Sequence, residues 1–507
     1  MNKLNRTFLI YSILAIIILI CIVFQNYFSL DEPNILWSLR SGKGWNGYFY
    51  SFVADGRPIY GMFQLAGIEW AGTLANLKFL RIISVIFTFL FSLLIFHYLK
   101  KKGVQPTIAF IMAVMIFCIP GFSVFMAWGQ QYSHHFSSLL SFYAGMLTVA
   151  VFNKMLGEAT LSKARENVYI ATALLLQIIS LFIYQSMSLA FVLPAFYTLL
   201  LKRDVLPKAR IRFFGSVVIV FFVSLIIYYK LFQSVLLSSG VGMTVRGSRE
   251  GYDLFGKVHW FTIHILKEAS KLHLLLMKGS FFSVLFSFLL IGILIRDLIK
   301  KRFLDILFLF AFSVLLFLPH LFITVSWGAS RNFALISSIF IVYMAVRIFE
   351  FLPAPSLVVS LAVSTVFVGL LFMNIGEGWV KPMKKDYEYL SKYAAHLRAI
   401  STDTLYVRYV PPRTWSFHED KSFLRMYSDE FNAPEFKFLW PVEPALKCIY
   451  QDAHPGVSME TINTFMKVDT VNAPSMIGKP SIVLDFNYDY NAYECGPRPT
   501  SISTESK

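Results

Sequence analysis

Residues 167–201 read NVYIATALLLQIISLFIYQSMSLAFVLPAFYTLLL, with no Asp, Glu, Lys or Arg. How often this stretch crosses a membrane decides the fold of the whole chain. One long tilted helix is conceivable, as are two short spans that turn near Gln185-Ser186. The flanks choose between them. Lys154, Lys163 and Arg165 precede the stretch, and Lys202, Arg203, Lys208, Arg210 and Arg212 follow it. Short loops rich in Lys and Arg stay on the cytoplasmic side. Both flanks then share one side, and only two crossings achieve that.

The rest of the chain has the same character. It has 507 residues, 56% hydrophobic and 17% aromatic, with 15% charged, which is too apolar for a soluble protein of this length. Further spans are expected at about 8–28, 79–99, 213–232, 304–322, 333–350 and 356–374, with another ending at Arg296. Residues 103–153 are also uncharged and hold two crossings at about 1.5 Å per residue, turning between Pro120-Gly121 and His135. The first span lacks a small-residue cleavage site and is kept as a helix rather than a signal peptide. The expected fold is therefore a polytopic α-helical membrane protein of about 11 transmembrane helices.

Charge gives the orientation. The net charge of +16 would suit nucleic acid, but the basic residues collect in short loops between apolar spans, so no nucleic-acid partner is expected. Lys3, Arg6, Lys100 to Lys102, Arg296 and Lys300 to Arg302 join the two flanks already named. The short turns on the other side, near 121–135, 184–188 and 323–332, hold only Arg331. The N-terminus is expected in the cytoplasm. The loops 29–78 and 233–277 and a tail from about 376 are expected outside.

The tail reads as a small folded α+β unit, giving two expected domains, 1–375 in the membrane and 376–507 outside. Tyr387, Leu390, Tyr393, Ala394 and Leu397 have helical spacing, and residues 404–410 and 481–486 read as strands. Cys448 and Cys495 are the only cysteines of the tail, and an oxidising compartment makes them a disulfide candidate.

Candidate chemistry sits in the first long loop. Leu30-Asp31-Glu32-Pro33 sets two carboxylates where lipid meets water. Asp before Glu-Pro is a good helix start. Either carboxylate is also a candidate general base, since apolar walls raise a carboxyl pKa. Asp55-Gly56-Arg57-Pro58 follows. Asp-Gly is a turn signal, and Arg57 before Pro58 is expected extended, projecting a permanently charged fork suited to phosphate. Arg331, beside Trp327, and Arg246 and Arg249 in the second long loop are further phosphate candidates. His134 and His135 form a polar cluster that suits sugar hydroxyls. Two adjacent His without a third placed ligand make a poor metal site, so no metal or other cofactor is expected.

These motifs resemble the GT-C superfamily of polyprenyl-phosphate-sugar-dependent glycosyltransferases. The nearest likeness is to the serotype-converting O-antigen glucosyltransferases of enteric bacteria and their phages. It rests on Leu30-Asp31-Glu32-Pro33, Gly56-Arg57-Pro58, the span count and the external tail. The resemblance implies an inner-membrane hexosyltransferase that modifies lipopolysaccharide, with undecaprenyl phosphate glucose as donor and a surface polysaccharide as acceptor. It implies a first-loop acid, Asp31 or Glu32, as base. Donor phosphate would lie on Arg57, Arg331, Arg246 and Arg249, and substrate on Asp55, His134, His135 and Trp327. A flippase and a polyprenyl-phosphate glucosyl synthase would act upstream. The chemistry is consistent with this: a sugar phosphodiester carries a good leaving group and needs one base and cations. Two alternatives remain. An O-antigen polymerase or ligase would depend on external Arg and His. A lipid-linked sugar transporter would place polar groups at mid-membrane in paired repeats, and neither feature is seen in the sequence.

Overall fold

The structure, a computed structural model, describes residues 3–29, 31–158, 160–242, 253–272, 281–322, 330–396, 405–410, 439–470 and 481–485. The chain opens with helix α1 (Lys3–Val23), then three loop helices, α2 (Glu32–Arg40), α3 (Gly44–Ala54) and α4 (Pro58–Ala71). Next come α5 (Lys78–Lys101), α6 (Pro106–Phe117), α7 (Pro120–Ala127), α8 (His134–Phe152), α9 (Lys163–Ile183), α10 (Gln185–Ser188), α11 (Leu193–Leu201) and α12 (Pro207–Ser239). The second loop carries α13 (Leu254–Trp260) and α14 (Leu266–Ser270). Then follow α15 (Phe281–Ile299), α16 (Phe303–Leu315), α17 (Leu318–Phe322), α18 (Ser330–Ile348), α19 (Leu357–Ile375) and α20 (Lys381–His396). The C-terminal part adds β1 (Leu405–Val410), α21 (Leu439–Ala453), α22 (Met459–Phe465), β2 (Met466–Thr470) and β3 (Ser481–Asp485).

Among the described residues, seven helices are long and apolar enough to cross a membrane, or eight if α6 and α7, bent by 59°, form one span. The bend has a local cause. Ile119 precedes Pro120 and is held extended at φ −61°, ψ 128°, which interrupts the helix. The shorter apolar stretches Gln185–Leu201, Phe303–Leu315 and Phe333–Ile348 accompany these seven. Outward faces are apolar: α1 exposes Ile10, Leu14 and Ile17, and α12 exposes Ile219 and Ile226. A helix with such a surface is suited to lipid, where its backbone bonds are all internal.

Residues 167–201 do turn back. Helix α9 stops at Ile183, Tyr184 is extended at φ −158°, ψ 110°, and α10 starts at Gln185. Both flanks meet at one end of the bundle, where Glu158 pairs with Lys202 at 3.2 Å and Lys102 at 3.1 Å. A larger network lies at the same end. Arg347, fully buried, contacts Asp297 at 2.5 Å and Asp305 at 2.6 Å. Arg210 pairs with Asp305, and Glu350 receives Arg302 at 2.6 Å, Arg296 at 3.0 Å, and Arg203. Basic residues read in the sequence as loop charges are therefore also the ties between α11, α12, α15, α16 and α18.

The first loop lies at the opposite end. It reads as polar in the sequence but folds into three short helices with apolar faces. Its core is shared with the C-terminal segments: Phe28, Ile35, Leu36, Leu65 and Ile68 pack in one cluster with Leu390, Val407, Leu446 and Ile462. The junction at 375/376 holds no linker, because α19 runs through a wide turn at Gly376–Val380 into α20. The three strands among the described residues are parallel in the order β2-β1-β3, and α21 and α22 lie between β1 and β2 in the chain. Arg40 fastens α21 to this loop, donating to Asp452 Oδ1 at 2.5 Å, Gln451 Oε1 at 3.0 Å, Cys448 O at 3.3 Å and Gly72 O at 2.7 Å.

Candidate active site

Neighbouring residues at a helix start diverge by about 100°, and this separates Asp31 from Glu32. Glu32 is fully buried. Its Oε2 accepts from Ser29 N at 2.8 Å and lies 3.6 Å from Arg81 Nη2, itself fully buried. Its Oε1 accepts from Gln130 N at 3.0 Å. Gly129 permits this approach, since a Cβ there would lie 2.9 Å from Oε1. Arg81 also donates to Gln25 O at 3.0 Å and Tyr27 O at 2.6 Å, with Cζ 3.4 Å from the Tyr27 ring centre. Glu32 is thus a structural clamp joining α1, α2, α5 and the turn before α8. The expected cap is corrected here: Asp31 precedes α2 but its side chain does not cap it. The half-buried Asp31 accepts from Gln130 Nε2 at 2.9 Å. Gln130 therefore binds both acids, one through its backbone and one through its amide.

The Asp55-Gly56-Arg57 turn is held by α10 and α12. Gln185 Nε2 donates to Asp55 O and Gly56 O, both at 3.2 Å, and Tyr228 OH donates to Gly56 O at 3.0 Å. Gly56 has φ +78°, and a Cβ there would collide with the Tyr228 hydroxyl. Arg57 is not fully extended as expected; it sits at φ −125°, ψ 49°, outside the helical region that Pro58 forbids but short of the β region. Its Nη2 is 3.8 Å from Asp55 Oδ2 and its Cζ is 5.2 Å from the Tyr184 ring centre. Among the described residues Arg57 Nε has no hydrogen-bond partner.

Tyr60, one helical turn after Arg57, marks where the groups meet. Burial pushes its phenol pKa well up, and the charges of Arg57, Asp31 and Arg331 all act on it. Its ring contacts His134 at 4.9 Å, which packs on Tyr184 at 3.8 Å and Phe125 at 4.7 Å. Arg331, from the start of α18, is buried, with Cζ 5.5 Å from the Trp128 ring centre. Trp128 packs on Trp379 at 5.8 Å. His320 Nε2 lies 2.9 Å from Ser186 Oγ, and the charges of Arg57 and Arg331 reach this ring too. An acid, two guanidiniums and two imidazoles from five separate segments thus gather at one end of the bundle. Such a set can take a proton and hold an anion.

Other expected residues fall elsewhere. The two His were expected in an exposed turn, yet both are buried, because Pro120 bends the chain and folds the turn into the bundle. His135 is pinned by Phe122 O at 3.0 Å and belongs to the core. Arg246, Arg249, Trp327 and Cys495 lie outside the described residues. Cys448 carries a buried thiol with Sγ 3.8 Å from Pro33 O. Among the described residues no group of three or more His, Cys, Asp or Glu is set to hold a metal ion. The sequence reading passed over Tyr60, Arg81 and His320. Arg81 had a signal, a charge in the first turn of an apolar span, which needs a partner. No family model, curated protein or solved structure matches the chain.

Proposed function

We propose that the chain is an inverting glycosyltransferase of GT-C type in a bacterial inner membrane, with eleven crossings when the short apolar stretches are counted as spans. The N-terminus is cytoplasmic, and the end bearing the first loop and the C-terminal segments faces the periplasm. The donor is a polyprenyl phosphate hexose, with glucose the expected sugar, and the acceptor is a hydroxyl of O-antigen or a related surface glycan. Asp31 takes the proton of that hydroxyl as its oxygen bonds to the anomeric carbon. The bond from that carbon to the phosphate oxygen breaks, and the polyprenyl phosphate leaves against Arg57 and Arg331. The choice of Asp31 over Glu32 rests on accessibility: Glu32 is fully buried with both oxygens engaged, whereas Asp31 is half-buried. The observation that carries the reading is geometric: Asp31 is bonded to Gln130 and Arg331 packs on Trp128 in the turn that leads to His134, while Arg57 lies over Tyr184, which packs on His134.

The test is transfer of labelled hexose from a polyprenyl phosphate donor to polysaccharide, with purified protein in detergent. Asp31→Asn is expected to abolish transfer, and Arg57→Gln to lower it strongly. A polymerase or ligase reading draws on the grouping of Arg57, Arg331, His134 and His320. Its outcome differs: Asp31→Asn would stay active, and polysaccharide chain length would change in place of a gain of one hexose per repeat. Activity without a sealed vesicle separates either enzyme from a transporter.

A further inference from the structure

Helix α13, in the second long loop, carries a buried cation. Lys257 is only 5% exposed, and its Nζ has no hydrogen-bond partner among the described residues. The Nζ stands 5.3 Å from the Trp260 ring centre. That contact restores part of the hydration a buried ammonium loses, but donates no hydrogen bond. Trp260 and Phe261 pack on Phe317 at 5.6 and 5.4 Å, and Phe317 packs on His320 at 4.9 Å. Lys257 is therefore tied through one aromatic stack to the imidazole beside Ser186. The charges of Arg57, Arg331 and Lys257 all reach that imidazole. The outward side of this segment is apolar: Leu254, Phe255, Val258 and Ile263 are exposed, Phe255 to 87%. An exposed apolar surface of this kind is suited to contact with lipid.

We propose that Lys257 is a third cation of the anion site shared with Arg57 and Arg331, and that its ligand is the phosphate of a lipid headgroup. This rests on the donor-phosphate reading of the two arginines and extends it to the loop where Arg246 and Arg249 were expected to serve. The apolar face of α13 would seat the first carbons of the lipid chain while the ammonium meets the phosphate. Burial alone lowers the pKa of this amine. A bound anion acts in the opposite sense, so ligand and proton stabilise each other at Lys257.

The experiment uses full-length protein in nanodiscs of neutral lipid, with a long-chain polyprenyl monophosphate, the matching polyprenol and inorganic phosphate as probes. Lys257→Gln is expected to weaken polyprenyl monophosphate binding by about tenfold or more and to leave polyprenol binding unchanged, while Lys257→Arg retains most of the affinity. Lys257→Met, similar in bulk and uncharged, repeats the test if the Gln variant aggregates. Equal affinity of wild type and the uncharged variant for polyprenyl monophosphate overturns the proposal. Competition by inorganic phosphate at the same concentration as the lipid overturns the assignment to a headgroup. Lys257-dependent phosphate binding without sugar transfer would remove the enzymatic reading alone. Transfer by wild type, undiminished in Lys257→Gln, would remove this one alone.

Discussion

Replacing Glu32 by Gln tests the division of labour between the two adjacent acids. The carboxylate accepts Ser29 N and Gln130 N and faces Arg81 at 3.6 Å, and both side chains are fully buried. A Gln in the same place keeps one acceptor oxygen, turns an amide NH2 against a backbone N–H, and leaves the Arg81 guanidinium without a counter-charge. Breaking a buried pair from one side costs about 3–5 kcal/mol, since the remaining ion stays desolvated. Arg81 keeps its bonds to Gln25 O and Tyr27 O, which places the expected loss at the lower end, about 3 kcal/mol. Asp31→Asn keeps its bond with Gln130 and is half-buried, so its cost is expected below about 1 kcal/mol. The assay is reversible unfolding of purified protein in mixed micelles, followed by tryptophan fluorescence, with hexose transfer measured on the same samples. Glu32→Gln should lose stability and keep activity in its folded fraction, while Asp31→Asn should do the reverse. A Glu32→Gln/Arg81→Met pair should recover about 1–3 kcal/mol relative to additivity. The reasoning fails if Glu32→Gln unfolds within about 0.5 kcal/mol of wild type, or if it abolishes transfer while fully folded.

Three further outcomes are expected. Gly56→Ala should cost about 1–2 kcal/mol from its positive φ, and should lower transfer by displacing the Tyr228 hydroxyl that fixes the turn beside Arg57; adding Tyr228→Phe should return part of the activity. At the other end of the bundle, burial raises the Glu350 carboxyl, but hydrogen bonds from Arg302 and Arg347 and the charges of Arg203 and Arg347 outweigh it and bring the pKa down to about 2. A depressed carboxyl contributes stability that is complete above its unfolded pKa and lost as pH falls through the folded value. Melting in detergent should therefore show a loss between about pH 4.5 and 2 that Glu350→Gln removes. Arg40→Ala should release α21 from the first loop. Burial, the largest cause, pushes the Cys448 thiol up to about 12, so maleimide should label it slowly at pH 8 in wild type and faster in Arg40→Ala; equal rates would refute the clamp.

The sequence by itself determined where the apolar helices run and which of their ends lie together. Lipid forbids unpaired backbone groups and charges, so hydropathy and loop charge are strong local signals, and the reversal at Gln185 follows from the basic residues on either side. Strands β1 and β3 were legible for a similar reason, as short alternating runs. What only the tertiary structure decided depends on contacts between distant residues. Asp31 and Glu32 are equivalent as letters. Gln130, ninety-nine residues from Asp31, engages both side chains, while the buried Arg81 makes Glu32 structural. Arg57 and Arg331 act on the same phenol although most of the chain separates them. The described C-terminal segments share their core with Phe28, Ile35 and Leu65 from the first loop, a partnership that no stretch of the tail reveals. Periodicity reports which face of a helix is apolar, but not which partner will cover it.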